Sequence, residues 1–214
     1  MAARGRFVVI EGLDGAGTTT QAAELGKRLS GRGIVVLATA EPSRGPVGAL
    51  IRAVLDRRLS GGGGRPFDRG ALALLFAADR LDHVASEIVP ALADGRWVVS
   101  DRYTPSSLAY QTLDLPLDFV AAINARAPRP DVTFLLDVPP AIALRRRRHE
   151  RPEADLFETL DLQRRVAANY RKLLRARRLG GPVVVVDGTA GVSDVADRIE
   201  REVVRRFAPR SREA

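Results

Sequence analysis

Short apolar runs alternate with longer segments of helical periodicity along most of this chain. Phe7-Val8-Val9-Ile10 is an apolar run that ends at a glycine-rich loop, and Gln21 to Ser30 then reads as a helix. Ile34 to Ala38 reads as a second strand, followed by a helix over Ala49 to Leu59. Helical periodicity resumes from Arg69, after a Ser60-Gly61-Gly62-Gly63-Gly64 tether that reads as a loop rather than a domain boundary. Trp97-Val98-Val99-Ser100, Val132 to Leu136 and Val183-Val184-Val185-Val186 supply three more strands, with helical segments between them. Strands this short and this apolar, alternating with helices, predict an α/β protein whose five-stranded parallel sheet is covered by helices on both faces. The whole chain of 214 residues reads as one domain, with a polar, basic tail from Pro209.

Composition narrows the function classes. With 45% hydrophobic and 28% charged residues the chain has the balance of a globular domain, large enough to bury a core without staples. No cysteine is present, so disulfides and thiolate metal sites are excluded. The start, MAARGRF, runs straight into a strand without the apolar stretch of a signal peptide, and no apolar run reaches membrane-spanning length. The net charge of +8 admits a nucleic-acid surface, but the basic residues are mostly scattered arginines and aromatics are only 5%. Anionic small substrates suit that charge better, and no nucleic-acid or membrane partner is expected.

The chemistry lies first in Gly12-Leu13-Asp14-Gly15-Ala16-Gly17-Thr18-Thr19-Thr20. The segment follows a strand and opens a helix, the setting in which backbone N–H groups and a helix N-terminus cradle phosphates. Thr19 stands where the pattern G-x-x-x-x-G-K-[ST] places the hydroxyl that binds Mg²⁺. Thr18 stands where that pattern has lysine, whose ammonium neutralises β- and γ-phosphate charge. Taken alone, the segment also reads as a glycine-rich turn leading into a threonine-started helix.

Read with four further segments, the loop resembles the thymidylate kinase family from about Arg6 to Phe207. These are Glu41-Pro42-Ser43-Arg44; Leu75-Phe76-Ala77-Ala78-Asp79-Arg80; Asp101-Arg102-Tyr103 continuing through Ser106-Ser107-Leu108-Ala109-Tyr110-Gln111; and Pro130 to Val138 before an arginine-rich helix. The resemblance implies a P-loop kinase that transfers phosphate from ATP to dTMP with Mg²⁺, working as a cytoplasmic homodimer. It implies ATP on residues 12–20, the metal at Thr19 and Asp101, and catalytic roles for Asp14 and Arg102. It implies a dTMP pocket of Asp14, Pro42, Arg44, Phe76, Arg80, Arg102, Ser106, Ser107, Tyr110 and Gln111. Within it Phe76 stacks on the base, Arg80 hydrogen-bonds it, Arg102 takes the acceptor phosphate, and Tyr110 crowds a ribose 2′-hydroxyl. Phe76 and Arg80 are four apart on one helix and share a face. Ser43 replaces the glycine common after Glu-Pro in the family.

The family's mobile lid corresponds to residues about 145–158, which open with Arg145-Arg146-Arg147-Arg148. Successive helical residues point about 100° apart, so these arginines cannot all face one ligand. Some members of the family carry a basic residue inside the loop and others supply arginines from the lid; with Ala at position 16 the chain resembles the second kind, yet Leu156 replaces the lid arginine, so two basic positions, 18 and 156, are empty beside a dense arginine run. An uncompensated loss would weaken catalysis by about 10³–10⁵. The expectation is compensation from the lid, with Arg147 and Arg151 as the catalytic candidates. Two alternatives stay open: a kinase for another nucleotide or deoxynucleoside, and a nucleotide-binding protein that barely turns over.

Overall fold

A computed structural model describes residues 4–150 and 160–207. Arg151 and Leu156 of the expected lid, and the tail from Pro209, lie outside the described residues, as does the side chain of Arg148.

Five strands form one parallel sheet: β1 (Phe7–Gly12), β2 (Val36–Ala40), β3 (Trp97–Asp101), β4 (Val132–Asp137) and β5 (Val183–Asp187), in the order β2-β3-β1-β4-β5. All six residues of β1 are buried, because this central strand is covered on both faces. The helices are α1 (Thr18–Gly31), α2 (Pro46–Leu55), α3 (Arg69–His83), α4 (Val89–Ala93), α5 (Thr104–Gln111), α6 (Leu117–Ile123), α7 (Pro140–Glu150), α8 (Leu160–Arg175) and α9 (Val192–Phe207). The larger core packs Leu25, Leu29, Phe134, Val166, Tyr170 and Ile199 on one another. A smaller one joins Phe7, Val9, Ile88, Leu92 and Tyr103, with the Phe7 and Tyr103 rings edge to face at 4.9 Å.

The element boundaries differ from the sequence expectation for local reasons. β2 begins at Val36 rather than Ile34 because α1 closes in a Schellman turn. Gly33 sits at φ 80° and donates to Ser30 O at 2.9 Å, while Ile34 N donates to Leu29 O at 3.1 Å. That geometry assigns Ile34 to the helix stop, packed against the larger core. The helix expected to end at Leu59 stops at Leu55, where Arg57 turns to φ 55°. α3 starts on Asp68, whose carboxylate accepts from Ala71 N at 2.9 Å. It then runs into α4 through a π-helical turn over Val84–Ile88, in which Val89 N reaches back to Val84 O. Pro90 explains the widened turn: it has no N–H to donate to the preceding turn.

The topology sets the site. β1, β2 and β3 all end at one edge of the sheet, and in an open α/β sheet ligands bind beyond the carboxyl ends of the strands. β1 and β3 pair as Ile10↔Asp101, β1 and β4 as Gly12↔Leu136, and β2 and β3 as Ala40↔Asp101. The segments following these strands therefore meet: the glycine loop, Glu41, and Asp101-Arg102. Among the described residues no helix is long and apolar enough to cross a membrane.

Candidate active site

The glycine loop contributes backbone. Leu13 and Ala16 turn their side chains into the core, and Ala16 N closes the loop on Leu13 O at 2.9 Å. Gly17 holds φ 94° just before α1 and offers no side chain, so the first-turn N–H groups of this 14-residue helix have no side-chain cap. They are donors suited to an anion. Gly15, at φ 83°, lies under α7: a Cβ there would stand 2.1 Å from Ala143 O. The helix that carries the arginine run therefore packs directly on the tip of the loop.

At that contact Asp14 holds two arginines. Arg102 Nη2 meets Asp14 Oδ1 at 2.5 Å, and Arg147 Nη1 meets Oδ2 at 3.1 Å. Arg102 also donates to Gly12 O at 3.1 Å and Ser106 Oγ at 2.9 Å, and its guanidinium lies 5.6 Å from the centre of the Tyr110 ring. Burial by itself would lower its pKa, but Asp14 together with Tyr110, Tyr170 and Asp101 outweighs that and holds it raised, so Arg102 stays cationic. Its backbone is left-handed, at φ 70°, a conformation that costs a non-glycine residue about 1–3 kcal/mol and clusters at functional sites. Two bonds hold it there: Arg102 N extends the ladder to Ile10 O at 2.9 Å, and Ser100 Oγ donates to Arg102 O at 2.8 Å.

The other arginines of the run diverge, as helix geometry requires. Arg146 donates to Gly188 O at 2.9 Å and Thr189 O at 3.2 Å, across the loop between β5 and α9, and Arg145 is exposed. Of the side chains described in that run, Arg147 is the one on the glycine loop.

Beneath Arg102 lies a group that sequence reasoning passed over. Glu11 is fully buried and accepts from Tyr103 N (2.8 Å), Ser106 N (3.1 Å), Ser106 Oγ (2.6 Å) and Tyr170 OH (2.9 Å). Burial raises its pKa, against the opposing pull of Arg102 and these donors. A carboxylate closing an otherwise apolar strand was the available signal. Tyr110 OH accepts from Asp14 N at 3.2 Å, and burial raises its pKa, so the phenol stays neutral.

Thr19 Oγ1 donates to Asp101 Oδ2 at 2.5 Å, while Asp101 Oδ1 is buried and has no hydrogen-bond partner among the described residues. The hydroxyl and the carboxylate thus face each other across the start of α1, as their positions in the sequence imply.

Further along the same edge is a pocket of polar side chains. Arg80 is 2% exposed, paired with Glu41 at 2.7 Å and bonded to Ser107 Oγ at 3.0 Å and to Asn124 Oδ1. Glu41 also meets His83 Nδ1 at 3.3 Å. Phe76, one turn before Arg80 on α3, is half-buried. Gln111 Nε2 reaches Ser107 Oγ at 3.4 Å. Pro42 is half-buried, and its carbonyl accepts from Arg52 Nη1 at 3.1 Å. Arg44 is exposed, and no ion pair links it to the arginine–aspartate cluster among the described residues. Ser43 is pinned by Asp79, which accepts from Ser43 N at 2.7 Å and Ser43 Oγ at 2.6 Å. A side chain at a position where glycine is common thus becomes a fastening. Glu41, Asp79, Asn124 and Tyr170 joined no site in the sequence reading because their partners are distant in sequence.

A family model described as thymidylate kinase matches residues 10–199. A protein named "probable thymidylate kinase" from Pyrococcus abyssi is 42% identical over 197 residues, covering 92% of this chain and 94% of the relative. One of the same name from Pyrobaculum calidifontis is 41% identical over 198 residues, covering 91% and 96%. A third, from Pyrococcus horikoshii, is 44% identical over 172 residues, covering 79% and 83%.

Proposed function

The chain belongs to the thymidylate kinase family, and from that membership we propose that it transfers the γ-phosphoryl group of ATP to dTMP, giving dTDP and ADP. The observation that carries the reading is the cluster at the glycine loop. Two arginines from different elements, Arg102 and Arg147, converge on Asp14 beside an uncapped helix N-terminus. Such a cluster suits two phosphate groups brought end to end.

No covalent intermediate is needed; positioning and charge stabilisation do the work. Backbone N–H groups of residues 12–20 hold the ATP phosphates. Arg102 exchanges Asp14 for the acceptor phosphate, and Asp14 stays beside the reacting groups. Arg147 supplies the cation absent at Thr18, resting on Asp14 until phosphates arrive. Phe76 stacks on thymine and Arg80 hydrogen-bonds it. Ser106, Ser107, Tyr110 and Gln111 line the pocket, with Tyr110 against the sugar and Pro42 and Arg44 at its rim.

Mg²⁺ fits the residues present. Thr19 and Asp101 offer a hydroxyl and a carboxylate, one oxygen of which is buried without a partner among the described residues. A cation that takes one carboxylate and completes its shell with phosphate oxygens and water needs no cluster of acids. Bound there, it would neutralise phosphate charge.

The working form is a cytoplasmic homodimer. Leu74 and Leu81, seven apart on one side of α3, are exposed and form an apolar strip that a second copy would cover. Light scattering at micromolar concentration gives the dimer mass if this holds and the monomer mass if it does not.

The test of the catalytic reading is ADP release with ATP, Mg²⁺ and each monophosphate in turn. dTMP leads, dUMP follows and ribonucleotides trail. Equal or better turnover of AMP, GMP or CMP would overturn the assignment.

A further inference from the structure

The turn that carries Arg102 opens α5 without a cap of its own. The Tyr103 side chain makes no capping bond, and Pro105, in the first turn, has no N–H. Glu11 supplies the cap from β1: its Oε1 accepts from Tyr103 N at 2.8 Å and from Ser106 N at 3.1 Å. Its other oxygen, Oε2, faces two hydroxyls, Ser106 Oγ at 2.6 Å and Tyr170 OH at 2.9 Å, which lie 3.2 Å from each other. Tyr170 comes from α8 and is 3% exposed.

Counting hydrogens gives these bonds a direction. A guanidinium only donates, and an ionised carboxylate only accepts. Ser106 Oγ takes a hydrogen from Arg102 Nη1 at 2.9 Å and has one of its own to give, to Glu11. Tyr170, whose phenol burial keeps neutral, gives its hydrogen to the same carboxylate oxygen. A chain of bonds therefore runs from Arg102 through Ser106 to Glu11, and Tyr170 closes it from α8.

We infer that Tyr170 is a positioning residue of the acceptor-phosphate site: its hydroxyl, bonded to Glu11 and Ser106, holds in place the serine oxygen that aims the guanidinium of Arg102. This rests on the reading that Arg102 takes the acceptor phosphate. Once Arg102 leaves Asp14 for that phosphate, its remaining anchors are Gly12 O and Ser106 Oγ. Without the phenol, Glu11 Oε2 keeps Ser106 as its one donor in a fully buried place, and a buried charge short of a partner is costly. That cost falls on the turn holding Arg102. The hydroxyl carries the effect, because the Tyr170 ring packs edge to face on Tyr110 at 6.4 Å and stays in Tyr170→Phe.

The experiment measures, well below the lowest Tm, the dissociation constants of dTMP and of thymidine, which lacks the phosphate. Tyr170→Phe weakens dTMP about five- to tenfold, the scale of one hydrogen bond, and leaves thymidine within about twofold. Asn169→Ala is the control on the same helix. Asn169 donates to Ala109 O and Thr112 Oγ1, both at 2.8 Å, at the far end of α5, and makes no hydrogen bond to Glu11 or Ser106 among the described residues. Its loss lowers Tm and keeps the ratio of dTMP to thymidine affinity within about twofold. In an Arg102→Ala background, adding Tyr170→Phe costs less than about twofold more dTMP affinity, because residues acting through one group are not additive. An unchanged ratio in Tyr170→Phe overturns the inference. So does an equal loss for dTMP and thymidine, or a full further loss without Arg102, either of which marks a structural role. A wild type that binds thymidine as tightly as dTMP defeats the reading of Arg102 on which the inference rests, and the inference with it; that result is read before any variant is made.

Discussion

Replacing Arg147 by alanine removes a guanidinium held 3.1 Å from Asp14, with about a fifth of each side chain exposed (22% and 24%). At an effective dielectric near 20, unit charges about 4 Å apart interact by about 4 kcal/mol. A transferring phosphoryl group at the same loop would gain a comparable share. Arginines acting on phosphoryl transfer are worth about 10³–10⁵ in rate. Partial exposure and the other cations nearby place Arg147 at the lower end, so kcat should fall about 100- to 1,000-fold, about 3–4 kcal/mol of transition-state stabilisation. Stability should change by only about 1 kcal/mol, because Asp14 keeps its ion pair with Arg102 when Arg147 is removed. The assay is steady-state ADP release at saturating dTMP, with ADP affinity measured by calorimetry. The loss should fall on kcat far more than on ADP binding, since the charge acts on the transition state. Arg145→Ala, on an exposed side chain, should stay within about twofold of wild type, as surface substitutions do. Thr18→Lys in the Arg147→Ala background should restore part of the rate. Arg147→Ala with wild-type kcat would refute the reasoning that this arginine replaces the loop lysine.

Phe76→Ala should weaken dTMP binding by about 1–3 kcal/mol through lost base stacking while leaving KM for ATP unchanged; calorimetry with dTMP alone checks it. Ser43→Gly, although glycine is common there in the family, should lower stability by about 1–2 kcal/mol by denaturant titration, because Asp79 loses its hydroxyl donor at 2.6 Å. Burial raises the pKa of Glu11 above its ordinary 4.5, so the folded chain binds a proton there more readily than the unfolded chain. The stability difference between wild type and Glu11→Gln should therefore move against wild type as pH climbs from 4.5 through the folded pKa, as read from thermal melts across pH; a difference that grows in favour of wild type would contradict that sign.

Much of the sheet was legible because β1, β3, β4 and β5 are apolar runs bounded by loops. β2 was misplaced by two residues because Ile34 looks like a strand residue and serves as the hydrophobic stop of α1. The glycine loop and Arg102 were readable because each follows a strand, and Thr19 and Asp101 because one opens α1 and the other closes β3. Glu11 was in plain view but carried no motif meaning until Tyr170, 159 positions away, was brought to it. The same holds for Asn124, whose bond to Arg80 exists because α6 ends beside α3. Periodicity said that the arginines of the run diverge, yet only packing of α7 over Gly15 could say that Arg147 is the one facing the loop.

If Arg147 stands in for the lysine missing from the glycine loop, its loss must slow phosphoryl transfer to dTMP itself. Single-turnover mixing of excess enzyme with γ-labelled ATP, Mg²⁺ and dTMP tests it most directly. Label should appear in dTDP in step with ADP formation, at a rate that Arg147→Ala cuts at least a hundredfold, about 3 kcal/mol. ATP that stays intact with dTMP bound, or label released as free phosphate at the same rate without dTMP, would contradict it.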